Sequence, residues 1–236
     1  MNKTLTIIPA KAGSTRVPQK NIRLLAGKPL LQYAVEAAFE SGVCGEIMVS
    51  TESEEVARIA RENGASVPFM RPNFLGRDPY GVSDVCLHVL GEYEKMGQNF
   101  DKLIILLPTS PLRTAEDIKN ADAVFDRESA RFLMSVTEVV HSPHAALQRS
   151  EKGVPHVMVP CFPEWFGKKR HEIPVAYRID GAVVILDVAA YRETGTYFGE
   201  PLHTYVMPWQ RGVDIDTESD FAFAEFLIKE RAYEKA

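Results

Sequence analysis

The sequence predicts an α/β fold built on a mostly parallel sheet with helices on both faces. Short apolar runs alternate with longer stretches at helical spacing, which is the pattern of successive β-α-β units. Runs such as "KLIILLP" (102–108) are apolar throughout, so both faces of those strands are expected to be covered. The loop after the first run, within "IIPAKAGSTRVPQKN" (7–21), gathers small residues and the cations Lys11, Arg16 and Lys20, as a ligand loop at a strand's carboxyl end would.

Taken in order, "LTIIPA" (5–10) reads as the first strand and 29–41 as a helix opened by Pro29, whose fixed φ suits a first turn. "EIMVST" (46–51) is a second strand, followed by helical spacing over 54–63 and 83–96. The run at 102–108 is a third strand, 115–127 a helix and "FLMSVT" (132–137) a fourth strand. From 139 to 180 the chain is rich in Pro, His and aromatic residues and has no helical period, so it is expected to leave the main fold as a hairpin arm or lid. "DGAVVILD" (180–187) returns as a strand, and 217–231 is an amphipathic closing helix. Without a repeat or linker, residues 1–236 are expected to form one domain with an inserted arm at about 139–172.

At 236 residues with 45% hydrophobic content the chain can bury a sizeable core. A net charge of −5 disfavours nucleic acid and anionic membranes as partners, so any anion site must be local. Cys44, Cys86 and Cys161 are dispersed and odd in number, the N-terminal apolar run is too short for a signal peptide, and no window approaches a membrane span. A cytoplasmic protein is therefore expected. His141, His144, His156 and His171 lack metal-ligand spacing, so no zinc is assigned.

In an open parallel sheet, ligands bind beyond the strands' carboxyl ends. In the first loop, Gly13, Ser14 and Thr15 can bring N–H groups to a phosphate while Lys11, Arg16 and Lys20 offset its charge. The loop lacks both a GxGxxG fingerprint and a P-loop's second glycine. In "PTSPLRTAEDI", Thr109, Ser110 and Pro111 form a turn, and Thr114 with Asp117 matches a capping box that starts a helix. In "RGVDIDTESDF", an extended 213–216 would put Asp214 and Asp216 on one side, able to share a hard cation with a phosphate; magnesium suits two carboxylates plus water. One of Asp216 and Thr217 is expected to cap the last helix. Lys168, Lys169 and Arg170 read in isolation as a solvated charge run.

Four stretches, "IIPAKAGSTRVPQKNI" with "GKPLLQYAV", "RPNFLGRD" (71–78), "LLPTSPLRT" (106–114) and "VDIDTESDF" (213–221), resemble the acylneuraminate cytidylyltransferase family in that family's order; "RHEIPVAYRIDGA" (170–182) is a looser fifth match. The resemblance implies a Rossmann-like three-layer α/β/α nucleotidyltransferase, usually a homodimer, that uses CTP and Mg²⁺ to activate a nine-carbon sugar acid as its CMP conjugate. It also implies roles. Lys11, Ser14, Arg16 and Lys20 would hold the triphosphate, with Ala10, Ala12, Gly13, Thr15, Asn21, Arg71 and Ser83 completing the nucleotide site. Asp214 and Asp216 would hold the metal, one of them also taking the proton of the attacking hydroxyl. Thr109, Ser110, Arg113 and Asp180 would meet the sugar acid, and Arg170 would pair with its carboxylate from an arm that crosses to the other subunit.

The chain departs from the family pattern at five places. Lys11 stands where the family mostly has Arg, Thr15 where many have Lys, Leu107 where a glutamine usually precedes "PTSPLR", Asp180 where asparagine is common, and Val184 where tyrosine is frequent. Alternatives left open are the same chemistry on Kdo or another sugar acid, and a non-catalytic nucleotide-binding homologue.

Overall fold

Period-two burial on two faces sets the centre of the molecule. In the computed structural model, which describes residues 3–14, 16–150 and 157–230, β1 (Thr4–Pro9) sends Leu5 and Ile7 to one face and Ile8 to the other, all fully buried. A small antiparallel pair follows, β2 (Leu24–Leu25) and β3 (Lys28–Pro29), leading into α1 (Leu30–Ser41). Then come β4 (Glu46–Ser50), α2 (Glu54–Glu62), α3 (Val82–Lys95), β5 (Lys102–Ile105), α4 (Ala115–Arg127) and β6 (Phe132–Glu138). The chain continues through β7 (Leu147–Arg149), β8 (Met158–Pro160), β9 (Tyr177–Asp187), α5 (Val188–Thr194), β10 (Leu202–Met207) and α6 (Glu218–Lys229).

Six strands form the main sheet in the order β10-β6-β9-β5-β1-β4. β4, β1 and β5 run parallel, as do β6 and β10, but β9 is antiparallel to both its neighbours. The cause is the connection: β6 and β9 are joined by the 139–176 excursion rather than by a helical crossover, so the chain returns in the opposite direction. That excursion carries the separate two-stranded ribbon β7-β8, whose connection at 151–156 lies outside the described residues.

α1, α2 and α4 bury residues such as Leu31, Val56, Ile118 and Ala121 on one face of the sheet, and α3 and α5 bury Val89, Tyr93 and Tyr191 on the other. α6 packs Phe221 and Ala224 on a third cluster with Val17, Leu25, Leu112 and Ile215, so part of the loop after β1 belongs to the core. Thr114 caps α4 in the expected box with Asp117, and Thr217 caps α6 with Asp220, which leaves the Asp216 side chain free of that duty.

Beside the short β2-β3 pair, α5 and β10 are additions to the sequence reading. α5 begins where Asp187 Oδ1 accepts from the Ala190 N–H (2.7 Å) and ends at Gly195 with φ 67°, signals too short in span for a periodic window. β10 is an edge strand with alternating exposure, "LHTYVM", whose mixed polarity hides it.

Gly45 has φ 49°, and a Cβ there would lie 2.2 Å from the Thr4 carbonyl oxygen, where β4 begins alongside β1. Gly45→Ala is therefore expected to destabilise the protein by about 3 kcal/mol, at the upper end of ordinary single substitutions, measured as a lowered urea midpoint with unchanged m-value.

Candidate active site

β1 is flanked by β4 on one side and β5 on the other, so the chain leaves β1 in one direction and later returns past it. The crevice of such a sheet opens where those connections diverge, at the carboxyl ends of β1 and β5. A cleft of about 300 Å³ lies there, with the 11–21 loop, Thr109 and Asp216 on its walls and the 75–82 segment across from them.

The loop is built from its backbone outward. Ala10 N–H bonds the Ser50 carbonyl (2.9 Å), which continues the β1-β4 register by one residue. Ser14 N–H turns back to the Ala12 carbonyl (3.0 Å), and the buried Asn21 donates Nδ2–H to the Lys11 carbonyl (2.8 Å), closing the loop's base. Val17 is fully buried in the α6 cluster, so the cations on either side of it are carried on an anchored segment.

The 213–217 segment docks on the same place. Ile215, itself fully buried, donates its N–H to the Thr109 carbonyl (2.8 Å) and accepts Lys20 Nζ–H on its own carbonyl (2.6 Å). Asp216 then meets Arg16 Nη2 at 3.1 Å and Lys20 Nζ at 3.7 Å. Burial pulls the Lys20 ammonium below its ordinary pKa, and the charges of Asp216 and Asp214 oppose that fall. Asp214 lies behind: burial pushes its carboxyl up, the Thr109 hydroxyl works against this, and the nearby Asp216 charge adds to it. Its Oδ1 is buried without a hydrogen-bond partner. Two neighbouring carboxylates, one with a buried bare oxygen, suit a hard divalent cation that bonds oxygen and needs only one or two protein ligands.

Among the residues expected from sequence, Lys11, Ser14, Arg16, Lys20, Asn21, Arg71, Thr109 and Asp216 line this cleft. Thr15 lies outside the described residues, as does His156. Ala10 is buried, and the Ala12 N–H is already taken by Glu52 Oε1 (2.8 Å). Ser83 lies in the first turn of α3, where its carbonyl accepts from the Tyr191 hydroxyl (2.7 Å). Arg113 is 4% exposed and braces the fold, donating to the carbonyls of Ala182 (2.8 Å) and Leu107 (2.7 Å).

Ser110 and Asp180 form a buried polar knot behind the cleft. Ser110 Oγ donates to the Asp180 carbonyl (3.1 Å), while the Asp180 carboxylate accepts from Ser135 Oγ and from Ala182 N–H (3.0 Å) and leaves Oδ2 without a partner. Arg170 lies away from the cleft, in an exposed turn beside a separate depression of about 670 Å³ walled by Glu138, Val140 and the 206–210 segment.

Sequence reasoning missed Glu52, which lies behind the wall against Ala12 and Arg71, and the 75–82 wall with Tyr80 and Gly81. The second was within reach, because "RPNFLGRD" leads straight into it.

A cluster of cations around Asp216, with Asp214 behind it, at the carboxyl ends of β1 and β5 in a sheet covered on both faces, is the arrangement of a nucleotidyltransferase of Rossmann-like α/β/α architecture. Within that class the chain belongs to the cytidylyltransferase family, whose pattern it matches over residues 5–235. It is 32% identical over 228 residues to the CMP-N,N'-diacetyllegionaminic acid synthase of Legionella pneumophila, covering 96% of this chain and 97% of that one. Identity and coverage are the same with the pseudaminic acid cytidylyltransferase of Campylobacter jejuni. A solved structure of CMP:2-keto-3-deoxy-manno-octonic acid synthetase with CTP has the same fold, with a TM-score of 0.73 at 16% identity over 97% of this chain and 99% of that one.

Burial raises the Asp180 carboxyl above its ordinary value, against the Ser135 and Ala182 hydrogen bonds and the charges of Arg178 and Arg113. Folding therefore takes up a proton: the cost of ionising Asp180 is absent below its unfolded pKa, grows as pH rises toward the folded value and is complete above it. The melting temperature of Asp180→Asn relative to the parent protein is expected to rise as the pH is raised from about 4, the ordinary carboxylate value. A pH-independent difference in calorimetry would show that Asp180 stays ionised in the fold.

Proposed function

We propose that this protein activates a nine-carbon 2-keto sugar acid with CTP, giving the CMP-sugar and pyrophosphate. The observation that carries the reading is the convergence of Lys11, Ser14, Arg16, Lys20 and Arg71 with Asp216 in one cleft. The two full-length relatives above, named for legionaminic and pseudaminic acids, support the substrate class.

In the proposed reaction the sugar's anomeric hydroxyl attacks the α-phosphorus and pyrophosphate departs. The transferred group carries spread negative charge, so the protein's task is positioning and charge stabilisation. Arg16 and Lys20, held at the cleft by Asp216 and the Ile215 carbonyl, are already oriented toward an anion. Lys11 or Lys20 offsets the charge that builds on the leaving pyrophosphate. Asn21 and Arg71 hold the nucleoside side.

Asp214 and Asp216 would hold a magnesium ion against the phosphate oxygens, the two-carboxylate set and the bare Asp214 oxygen fitting that role. When bound, the ion supplies Lewis-acid stabilisation of the phosphoryl charge. Asp216, the more exposed carboxylate, accepts the proton of the attacking hydroxyl.

The sugar half of the site is assigned to Thr109, with Ser110, Arg113 and Asp180 shaping it from behind. Arg170 is assigned to the sugar carboxylate of a second copy, reached through the 139–172 arm in a homodimer. That assignment accounts for its distance from the cleft of its own chain. The reaction is placed in the cytoplasm, where CTP is available.

Pyrophosphate release from CTP and Mg²⁺ with a panel of sugar acids tests the reading. Turnover is expected with a nine-carbon acid, and turnover confined to the eight-carbon acid Kdo would move the assignment to that sugar. Asp216→Ala is expected to lower kcat by roughly 100-fold or more with the melting temperature within a few degrees of the parent; full activity would remove its proposed role. Co-expressing Arg170→Ala and Asp216→Ala chains is expected to give activity that neither variant has alone. Its absence in a mixed dimer would place Arg170 outside the site.

A further inference from the structure

Glu52 is a carboxylate just behind the wall of the cleft, against Arg71 and Gly76 that line it, where a bare negative charge would repel a triphosphate. Its side chain is 14% exposed, and the start of α2 does not use it, because the capping residue there is Ser53, which accepts from Val56 N–H. Instead Glu52 points back under the ligand loop. Oε1 accepts the Ala12 N–H at 2.8 Å, and Oε2 pairs with Arg71 Nη2. Gly76 closes over the carboxylate so tightly that a Cβ there would lie 3.2 Å from Oε1.

We propose that Glu52 is a positioning residue for the nucleotide, tying the triphosphate loop at Ala12 to the nucleoside side at Arg71 through one carboxylate. Three features support it. Ala12 is exposed on the ligand loop, and the Glu52 carboxylate takes its N–H from outside that loop. Arg71 is 5% exposed and lines the cleft, so the guanidinium that Glu52 holds by Nη2 borders the ligand space. Burial would raise the Glu52 carboxyl, but the Arg71 hydrogen bond and the Ala12 N–H outweigh it and hold the group below the usual carboxylate range, so it stays charged beside the guanidinium. The negative charge is thus compensated, and what it gives the site is a fixed separation between the two halves that grip one ligand.

The proposal rests on the CTP reading above. Its test compares the parent enzyme with Glu52→Gln, which keeps an acceptor for Ala12 but loses the charge facing Arg71, and with Glu52→Ala, which loses both. Glu52→Ala is expected to raise KM for CTP by roughly tenfold, the scale of a charge-assisted hydrogen bond. kcat and the KM for the sugar acid should change far less, and Glu52→Gln should lie between. In nucleotide-free protein, hydrogen exchange over residues 10–14 should speed up in Glu52→Ala.

Should Glu52→Ala fail to fold, Glu52→Gln alone decides: a KM for CTP within twofold of the parent with unchanged exchange at Ala12 overturns the proposal. A merely structural role would lower the melting temperature and the active fraction while leaving KM for CTP unchanged, and that also overturns it. An active parent with indifferent variants defeats this inference alone. A parent that does not use CTP defeats the reading beneath it and this inference with it.

Discussion

The site depends on the seating of Ile215. Its side chain is fully buried in the α6 cluster, its N–H is bonded to Thr109 in the loop after β5, and its carbonyl takes Lys20 from the loop after β1. Three stretches that are remote in sequence therefore meet at one backbone unit. Because Ile215 cannot leave the core without exposing a large apolar side chain, Asp214 and Asp216 on either side of it are fixed relative to Lys20. The same hydrophobic burial that closes the fold thus sets the spacing of the charged groups.

That arrangement explains how an acidic chain holds an anion site. The net charge of −5 is offset locally, since Arg16 and Lys20 converge on Asp216 and Arg71 on Glu52. Arg16, Lys20 and Arg71 each have a carboxylate neighbour that orients them, and the half-exposed pairs contribute little to stability of their own. Their value is geometric. A buried Lys20 whose pKa is pulled down by desolvation gains more from a phosphate than a solvated lysine would, because water has already been removed from around it.

Much of the fold was legible because its signals are local. Strands covered on both faces show as unbroken apolar runs, and the helices of the parallel units carry their own caps, as at Thr114 and Thr217. The direction of β9 was not legible, because it is set by the long 139–176 connection and not by anything within "DGAVVILD". β10 escaped notice for an edge strand's usual reason: solvent takes one side of it, and its residues alternate in polarity. At the site, the cations of the first loop could be found from their position after a strand. Glu52 could not, since in "TESEEV" it reads as one more acid at a helix start. Only its contact with Ala12, 40 residues away, tells it apart. Arg113 shows the converse, an arginine in a ligand loop that spends donors on two carbonyls of the scaffold, which the sequence alone does not reveal.

The two halves of the cleft are therefore built by different means. One side is made of loops that leave parallel strands, with backbone and cations supplied by short contiguous stretches. The other draws on Leu107 at the cleft wall, packed so closely to Gly181 of β9 that a Cβ there would be 3.0 Å from its Cδ1, with Asp180 buried behind Ser110. Of the departures from the family pattern, Leu107 stands at the cleft wall and Asp180 is buried behind Ser110, whereas Val184 is buried in the core cluster with Leu103, Met134 and Leu186 and faces no part of the cleft.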